Sequence, residues 1–409
     1  REVTYSPCSS VFPAMQDQAL AGLTYGAASA PPLGEAEVVQ ATLLPAAPGA
    51  SGQHRQTDSV EQVRAGMTEL GVPLGLASLL AQEDQRIGLR IYLLDNSGST
   101  ATMDGSVAEQ GQRGRYTFRN ASRWEEVVAL ALDHARWNLA IGVPAEFMLL
   151  NSPCRENGMP LVEGRDFVHV ERGSGMSDSQ QVERLAALLN ANGPRGVTPI
   201  TLRVQEIHQR IQHDFSAMTR SGQFVFLCIC TDGMPTTPFS GQSTPTDQQE
   251  MCAALRRICT ELPVQLVIRL CTNDDATVEF YNRIDEEMEL SMDILDDMKG
   301  EAEEIRKAGN GWFAYTPLLH RIREAGTMCK LIDLLDERKL TEPEVVKLVQ
   351  LLSNREKPFS SNPATFVEEL RTYTSSSAPV FNVASQRMEP FVDFRAVRMV
   401  LGLGRCSVM

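Results

Sequence analysis

The sequence has no apolar run near the ~18 to 20 residues of a membrane span, and its tightest run, Phe224 to Cys230, has only strand length. It has no surplus of positive charge. Its formal net charge is -14, which argues against general nucleic-acid binding, where Lys and Arg must face phosphates. Cations and basic partners stay compatible with that charge. No Cys-x-x-Cys pair occurs, and the nine cysteines are an odd number. Cys228 and Cys230 alternate within an apolar strand, so buried free thiols of a reducing compartment are expected, not a disulfide framework. The chain lacks internal repeats. It begins at Arg1, so the missing signal peptide carries no weight.

Signatures of catalysis are also missing. The segment Asn96-Ser97-Gly98-Ser99-Thr100 is not a Gly-x-Ser-x-Gly elbow. Asp95-Asn96-Ser97 lacks the second acid of a phosphatase-type pair. His208 and His213 lie five apart on one helix, the wrong spacing for a shared zinc, and both are expected at the surface. The stretch from Asp95 is no EF-hand loop, because Thr100 stands where that loop needs glycine. The expected absence is therefore an enzyme active site.

What is present is a globular mixture, 43% hydrophobic and 22% charged over 409 residues, enough for one large core or two modest ones. Residues 1–57 are rich in Pro, Ala and Gly and read as a flexible leader. Residues 58–85 read as two short helices broken at Gly71-Val72-Pro73-Leu74-Gly75. From Gly88, strands alternate with helices. Leu89 to Leu94 is a strand apolar on both faces, as in a parallel sheet covered on both sides. Ser122 and Glu125 form a capping box that opens a helix, and residues 102–120 before it read as a long polar loop. Strands are expected at 144–151, 167–172, 223–233 and 264–271, with Gly311 to Thr316 as a last strand. Helices fill the gaps, including one with an apolar stripe at Ile200, Val204, Ile207, Ile211, Phe215 and Met218. The acidic run 285–297 reads as a solvated helix face. This alternation predicts an α/β domain with a doubly wound, mostly parallel central sheet over 86–327. A helical extension, 328–371, carries a capping box at Thr341 and Glu344. The tail is 372–409.

In such a sheet, ligands bind beyond the carboxyl ends of the strands, where strand order reverses. After the first strand stand Asp95, Ser97 and Ser99. Thr198 lies in Gly196-Val197-Thr198-Pro199 between two helices, and Asp232 follows the strand ending at Cys230. Hydroxyls two residues apart on a tight loop suit Mg²⁺, a hard ion that prefers oxygen. This set resembles the metal-ion-dependent adhesion site of the von Willebrand factor type A domain, Asp-x-Ser-x-Ser with a later Thr and a later Asp. All five positions are present, in order. The resemblance implies a Rossmann-like fold of the intracellular type, with helical extensions outside it at both ends. It implies Mg²⁺, with Mn²⁺ or Ca²⁺ as alternatives, ligated by Ser97 and Ser99, with Thr198 adding a ligand directly or through water. Asp95 and Asp232 would hold coordinated waters and accept seryl protons. It further implies an open position that a partner protein fills with an Asp or Glu carboxylate.

The last four residues, Cys406-Ser407-Val408-Met409, match a C-a-a-X sequence of the farnesylated type. A prenyl group on Cys406 would give weak, reversible membrane association from the cytoplasmic side. This supports an alternative function: a scaffold or peripheral-membrane adaptor whose C-terminal helices make the contacts and whose metal site is structural.

Overall fold

In the computed structural model, which describes residues 59–153, 161–272, 274–288 and 292–403, the first elements are the two short helices expected on either side of the Gly-Val-Pro turn. In α1 (Val60–Glu69), the Ser59 hydroxyl accepts the Gln62 N–H and the Gln62 side chain accepts the Ser59 N–H, so both ends of a capping box are made. α2 (Leu74–Asp84) leads into β1 (Ile87–Leu94). A two-stranded antiparallel hairpin follows, β2 (Gly105–Gln110) and β3 (Tyr116–Ala121). Then come α3 (Arg123–Ile141), β4 (Ala145–Leu149), β5 (Phe167–Val170), α4 (Asp178–Ala191), α5 (Ile200–Ser221) and β6 (Phe224–Thr231). The next elements are α6 (Pro245–Glu261), β7 (Val264–Leu270), α7 (Asp275–Met288), β8 (Met292–Leu295), α8 (Met298–Lys307) and α9 (Pro317–Glu324). The chain closes with α10 (Lys330–Glu337), α11 (Glu342–Leu351), α12 (Pro363–Ser376), the hairpin β9 (Val380–Asn382) and β10 (Arg387–Glu389), and α13 (Phe394–Val400).

The fold is mixed α/β around a six-stranded sheet of order β5-β4-β1-β6-β7-β8. Only β5, antiparallel to β4, departs from parallel pairing. The chain runs from β1 out to β4 and β5, then crosses back past β1 to β6, β7 and β8. Strand order thus reverses at β1 and β6, the point at whose carboxyl ends such sheets bind ligands. Leu94 is in register with Cys230, so the residues just after these two strands are neighbours.

Side chains of β1 alternate between two apolar clusters. Tyr92 and Leu94 join one with Trp124, Val127 and Ala131 of α3. Ile91 and Leu93 join the other with Ile200, Val204 and Ile207 of α5. The first cluster also takes Met67 of α1, Leu335 of α10, Leu348 of α11, Leu370 of α12 and Val397 of α13. The flanking helices therefore bury their apolar faces on the sheet layer itself. The described residues belong to one unit, Arg55–Met409. Among them, no helix is long and apolar enough to cross a membrane. The leader to residue 57 and Cys406 lie outside the described residues.

One contact under the sheet is tight enough to test. Gly326, after α9, has φ 75°, and a Cβ there would overlap the Phe226 ring. Gly326→Ala adds a left-handed alanine and an overpacked core, together about 2–4 kcal/mol of lost stability. Urea unfolding measures it.

Four expectations need correction. Residues 102–120 are not simply a loop. Tyr116 and Phe118 share one side of β3 and pack on Phe381, which is what makes the hairpin worth forming. The acidic run contains β8, paired parallel with β7. Its neighbour supplies the backbone partners that a four-residue strand cannot signal in sequence. Gly311 to Thr316 forms no strand. Trp312, Phe313 and Tyr315 are buried, but their backbone makes one isolated bridge, Phe313 to Val392, and a lone bond from the Val383 N–H to the Tyr315 carbonyl, not a ladder. His208 is buried, not at the surface, and bonds Glu261 at 2.9 Å. It lies four residues after Val204, on the flank of the buried stripe of α5. His213 is exposed as expected.

Candidate metal centre

The strand ends carry the first two acids into place. The Asp95 N–H donates to the Cys230 carbonyl at 2.9 Å, which ties the turn after β1 to the end of β6. The Asp95 carboxylate then organises both turns. It accepts the Ser97 N–H at 2.8 Å and the Thr231 hydroxyl at 2.7 Å. The first bond is the local Asx-type bond that lets Asp start a turn. The Tyr281 hydroxyl donates to the Gly233 carbonyl at 3.1 Å and holds the far side of the turn after β6.

Ser97 and Ser99 point the same way. Their Oγ atoms are 2.9 Å apart, and Ser99 Oγ donates to Asp232 Oδ1 at 2.9 Å. Ser97 Oγ lies 3.4 Å from the same oxygen. Three oxygens from two loops thus meet at one point, although the loops lie far apart in sequence. Thr198 arrives on a third loop. Its N–H donates to Thr236 Oγ1 at 3.0 Å and its carbonyl accepts the Thr236 N–H at 2.9 Å. A Cβ built on Gly233 would lie 3.5 Å from Thr198 Oγ1 and 3.9 Å from Ser99 Oγ, so both hydroxyls border the same spot.

The loops are braced by a residue that motif reading passes over. Asn96 is fully buried. Its Nδ2 donates to the carbonyls of Asn151 and Asn192 at 3.0 and 3.2 Å, and its Oδ1 accepts the Asn151 N–H at 2.8 Å. The Arg195 N–H donates to the Asn96 carbonyl at 2.7 Å. A buried amide with its donors and acceptor satisfied rigidifies its surroundings. Here it locks the Thr198 loop to the Ser97 loop.

The donor set suits a hard dication. Every converging atom is a hydroxyl or carboxylate oxygen, the class Mg²⁺ selects. Octahedral ligands about 2.1 Å from Mg²⁺ stand about 3.0 Å from their neighbours. The 2.9 Å separation of Ser97 Oγ and Ser99 Oγ matches that edge, and Asp232 Oδ1, 2.9 Å from Ser99 Oγ, stands where it accepts the seryl proton. All five residues expected from the sequence, Asp95, Ser97, Ser99, Thr198 and Asp232, lie at this one corner of the sheet. Among the described residues, another acidic group, Glu301, Glu304 and Asp336, also clusters. Arg323 pairs with Glu301 and Asp336 there, so that cluster already holds a cation of its own.

Two further residues touch the site. Arg123, the first residue of α3, donates from Nη1 to Asp232 Oδ2 at 3.0 Å. Its Nε and Nη2 bond both Asp104 oxygens at 2.7 Å. These bonds hold the Asp104 carboxyl below the usual carboxylate range. The sequence marked Ser122 and Glu125 as a cap but offered no sign that the intervening Arg123 turns toward Asp232.

Burial, and then the charge of Asp232, push the Asp95 carboxyl up to about 7. A carboxyl whose folded pKa exceeds its unfolded value adds stability that is full below the ordinary value of 3.8 and is lost as pH rises from there through about 7. In EDTA, stability is therefore expected to fall between about pH 4 and 7 and to level off above that, and Asp95→Asn to flatten that slope. Thermal melts across this range read the difference. No family model and no curated protein matches this chain.

Proposed function

We propose that this chain is a cation-dependent protein-binding module of the von Willebrand type A kind, in which Asp95, Ser97, Ser99, Thr198 and Asp232 hold Mg²⁺ and a partner protein supplies an Asp or Glu carboxylate. The observation that carries this reading is the meeting of Ser97 Oγ, Ser99 Oγ and Asp232 Oδ1 from two strand-end loops. The doubly wound form of the sheet belongs to the same reading. It is supported by the division of β1 side chains between two helix-lined apolar clusters.

When bound, a divalent ion supplies an electrophilic centre for a carboxylate oxygen. The chain does the rest. Ser97 and Ser99 offer neutral oxygens, so little negative charge blunts the ion's pull on an incoming acid. Asp95 keeps Ser97 and Thr231 in place, and Asp232 takes the seryl protons. Ser99 is exposed while Asp95 and Ser97 are buried, so the site opens on one side. No bond is made or broken, and no reaction is part of the proposal.

The burial of α10, α11, α12 and α13 in the main core favours this reading over an adaptor that docks through its C-terminal helices, whose apolar faces are already used. Capture of partners from cell extract is expected to require Mg²⁺ and to be lost in EDTA. Capture insensitive to the chelator would favour the adaptor.

A further inference from the structure

We propose that Arg123 is a built-in competitor for the divalent ion: its guanidinium occupies Asp232, and Asp104 draws it away when the ion binds. This inference rests on the metal reading above and adds to it a control on the same site.

Asp95 and Asp232 are two buried carboxylates at one corner of the sheet, and such a pair needs a cation. Arg123 provides one. Its side chain is only 12% exposed and that of Asp232 is fully buried, so solvent screens their pairing weakly. Asp232 presents Oδ1 to the two serines and Oδ2 to Arg123. A divalent ion at the serines would therefore draw, through its coordinated waters and the seryl hydroxyls, on the same carboxylate that Arg123 holds, with a positive guanidinium beside it. Like charges across one small carboxylate oppose each other.

Asp104 gives the guanidinium somewhere to go. It takes two hydrogen bonds from Arg123, against the one that Asp232 takes. A bidentate fork is the stronger grip. Asp104 is also half-open to solvent, with a 43% exposed side chain, so it can follow the arginine outward. Its position beside Arg123 is enforced by backbone. The Arg123 N–H donates to the Thr102 carbonyl at 3.0 Å, and a Cβ on Gly105 would sit 2.8 Å from the Ser122 carbonyl, so the two segments are clamped together. Thr102 in turn donates its N–H and its hydroxyl to the Ser99 carbonyl at 3.0 and 2.8 Å. The Arg123–Asp104 pair is thus wired to the loop that carries Ser99.

The two partners predict effects of opposite sign. In calorimetric Mg²⁺ titrations of the full chain, Arg123→Gln is expected to bind roughly tenfold more tightly than wild type, the size of one lost like charge at a partly buried site. Asp104→Asn is expected to bind several-fold more weakly, because Arg123 then leans on Asp232 alone. Asp95→Ala is the control for the site. Binding to Arg123→Gln equal to or weaker than wild type overturns the competitor role while leaving the metal reading intact. Binding in Arg123→Gln with none detectable in wild type supports it. If wild type and Arg123→Gln both match an inert Asp95→Ala, the metal reading falls and the competitor role with it. If Arg123→Gln does not fold, Asp104→Asn decides: weaker Mg²⁺ affinity supports the competitor, and unchanged affinity overturns it.

Discussion

Arg323→Ala is expected to cost the fold about 3–5 kcal/mol, the penalty for breaking a buried ion pair from one side. Arg323 lies on α9 with a side chain 1% exposed. It pairs with Glu301 of α8, equally buried, and with Asp336 of α10 at 2.7 Å. One guanidinium therefore joins three consecutive helices against the sheet. Burial pushes the Glu301 carboxyl up to about 8 even beside Arg323, so removing the guanidinium leaves a buried acid without its partner. The loss follows from that unpartnered acid more than from the missing attraction. Adding Glu301→Gln to Arg323→Ala is accordingly expected to recover part of the stability. Chemical unfolding of the two single variants and the double variant reads this coupling directly. A double variant as unstable as the sum of its parts would show that the pair is not the source.

The second large effect concerns the metal. Asp232→Ala is expected to weaken Mg²⁺ binding by roughly 100-fold, as loss of a group that orients the ligands does elsewhere. The reason is specific to this site. Asp232 Oδ1 aligns Ser99 and Ser97, and Oδ2 holds Arg123. Its loss frees the seryl hydroxyls and leaves one carboxylate, Asp95, to balance a dication. Stability without metal is expected to change much less, because Asp95 is relieved of a like charge. A fall in Mg²⁺ affinity with little change in apo stability is therefore the expected pattern. An equal loss of both would mark Asp232 as structural.

Much of this arrangement was legible in the sequence, for physical reasons that differ by element. β6 announces itself because a strand covered on both faces reads as an unbroken apolar run, and β1 does so despite Arg90, whose buried guanidinium pairs with Asp84. The capping boxes at Ser122 with Glu125 and at Thr341 with Glu344 are local signals and are formed as expected. Asp95, Ser97, Ser99 and Asp232 could be found because they follow apolar strands, whereas Thr198, between two helices, was singled out by the resemblance to the adhesion-site motif. What stayed hidden depends on neighbours. β8 is four residues inside an acidic stretch, and only pairing with β7 makes it a strand. The buried stretch Trp312 to Tyr315 has the composition of a strand without a neighbouring strand to complete a ladder. His208 is buried beside Ile207 and bonds Glu261 of α6, a neighbour that a count of residues along α5 does not reveal. Arg123 is the sharpest case. An exposed arginine at a helix start is the ordinary expectation, and its turn toward Asp232 exists only once α3 is laid beside the end of β6.

The central claim is that Ser97, Ser99 and Asp232 surround a divalent ion. Crystals of wild type and of Arg123→Gln grown with saturating Mn²⁺, measured for anomalous scattering, test it most directly. The account predicts a peak bonded to Ser97 Oγ and Ser99 Oγ in at least the Arg123→Gln crystals, with Asp95 and Asp232 reaching it through waters. Crystals of both proteins without a peak there, or with the sole peak at Glu301, Glu304 and Asp336, would contradict it.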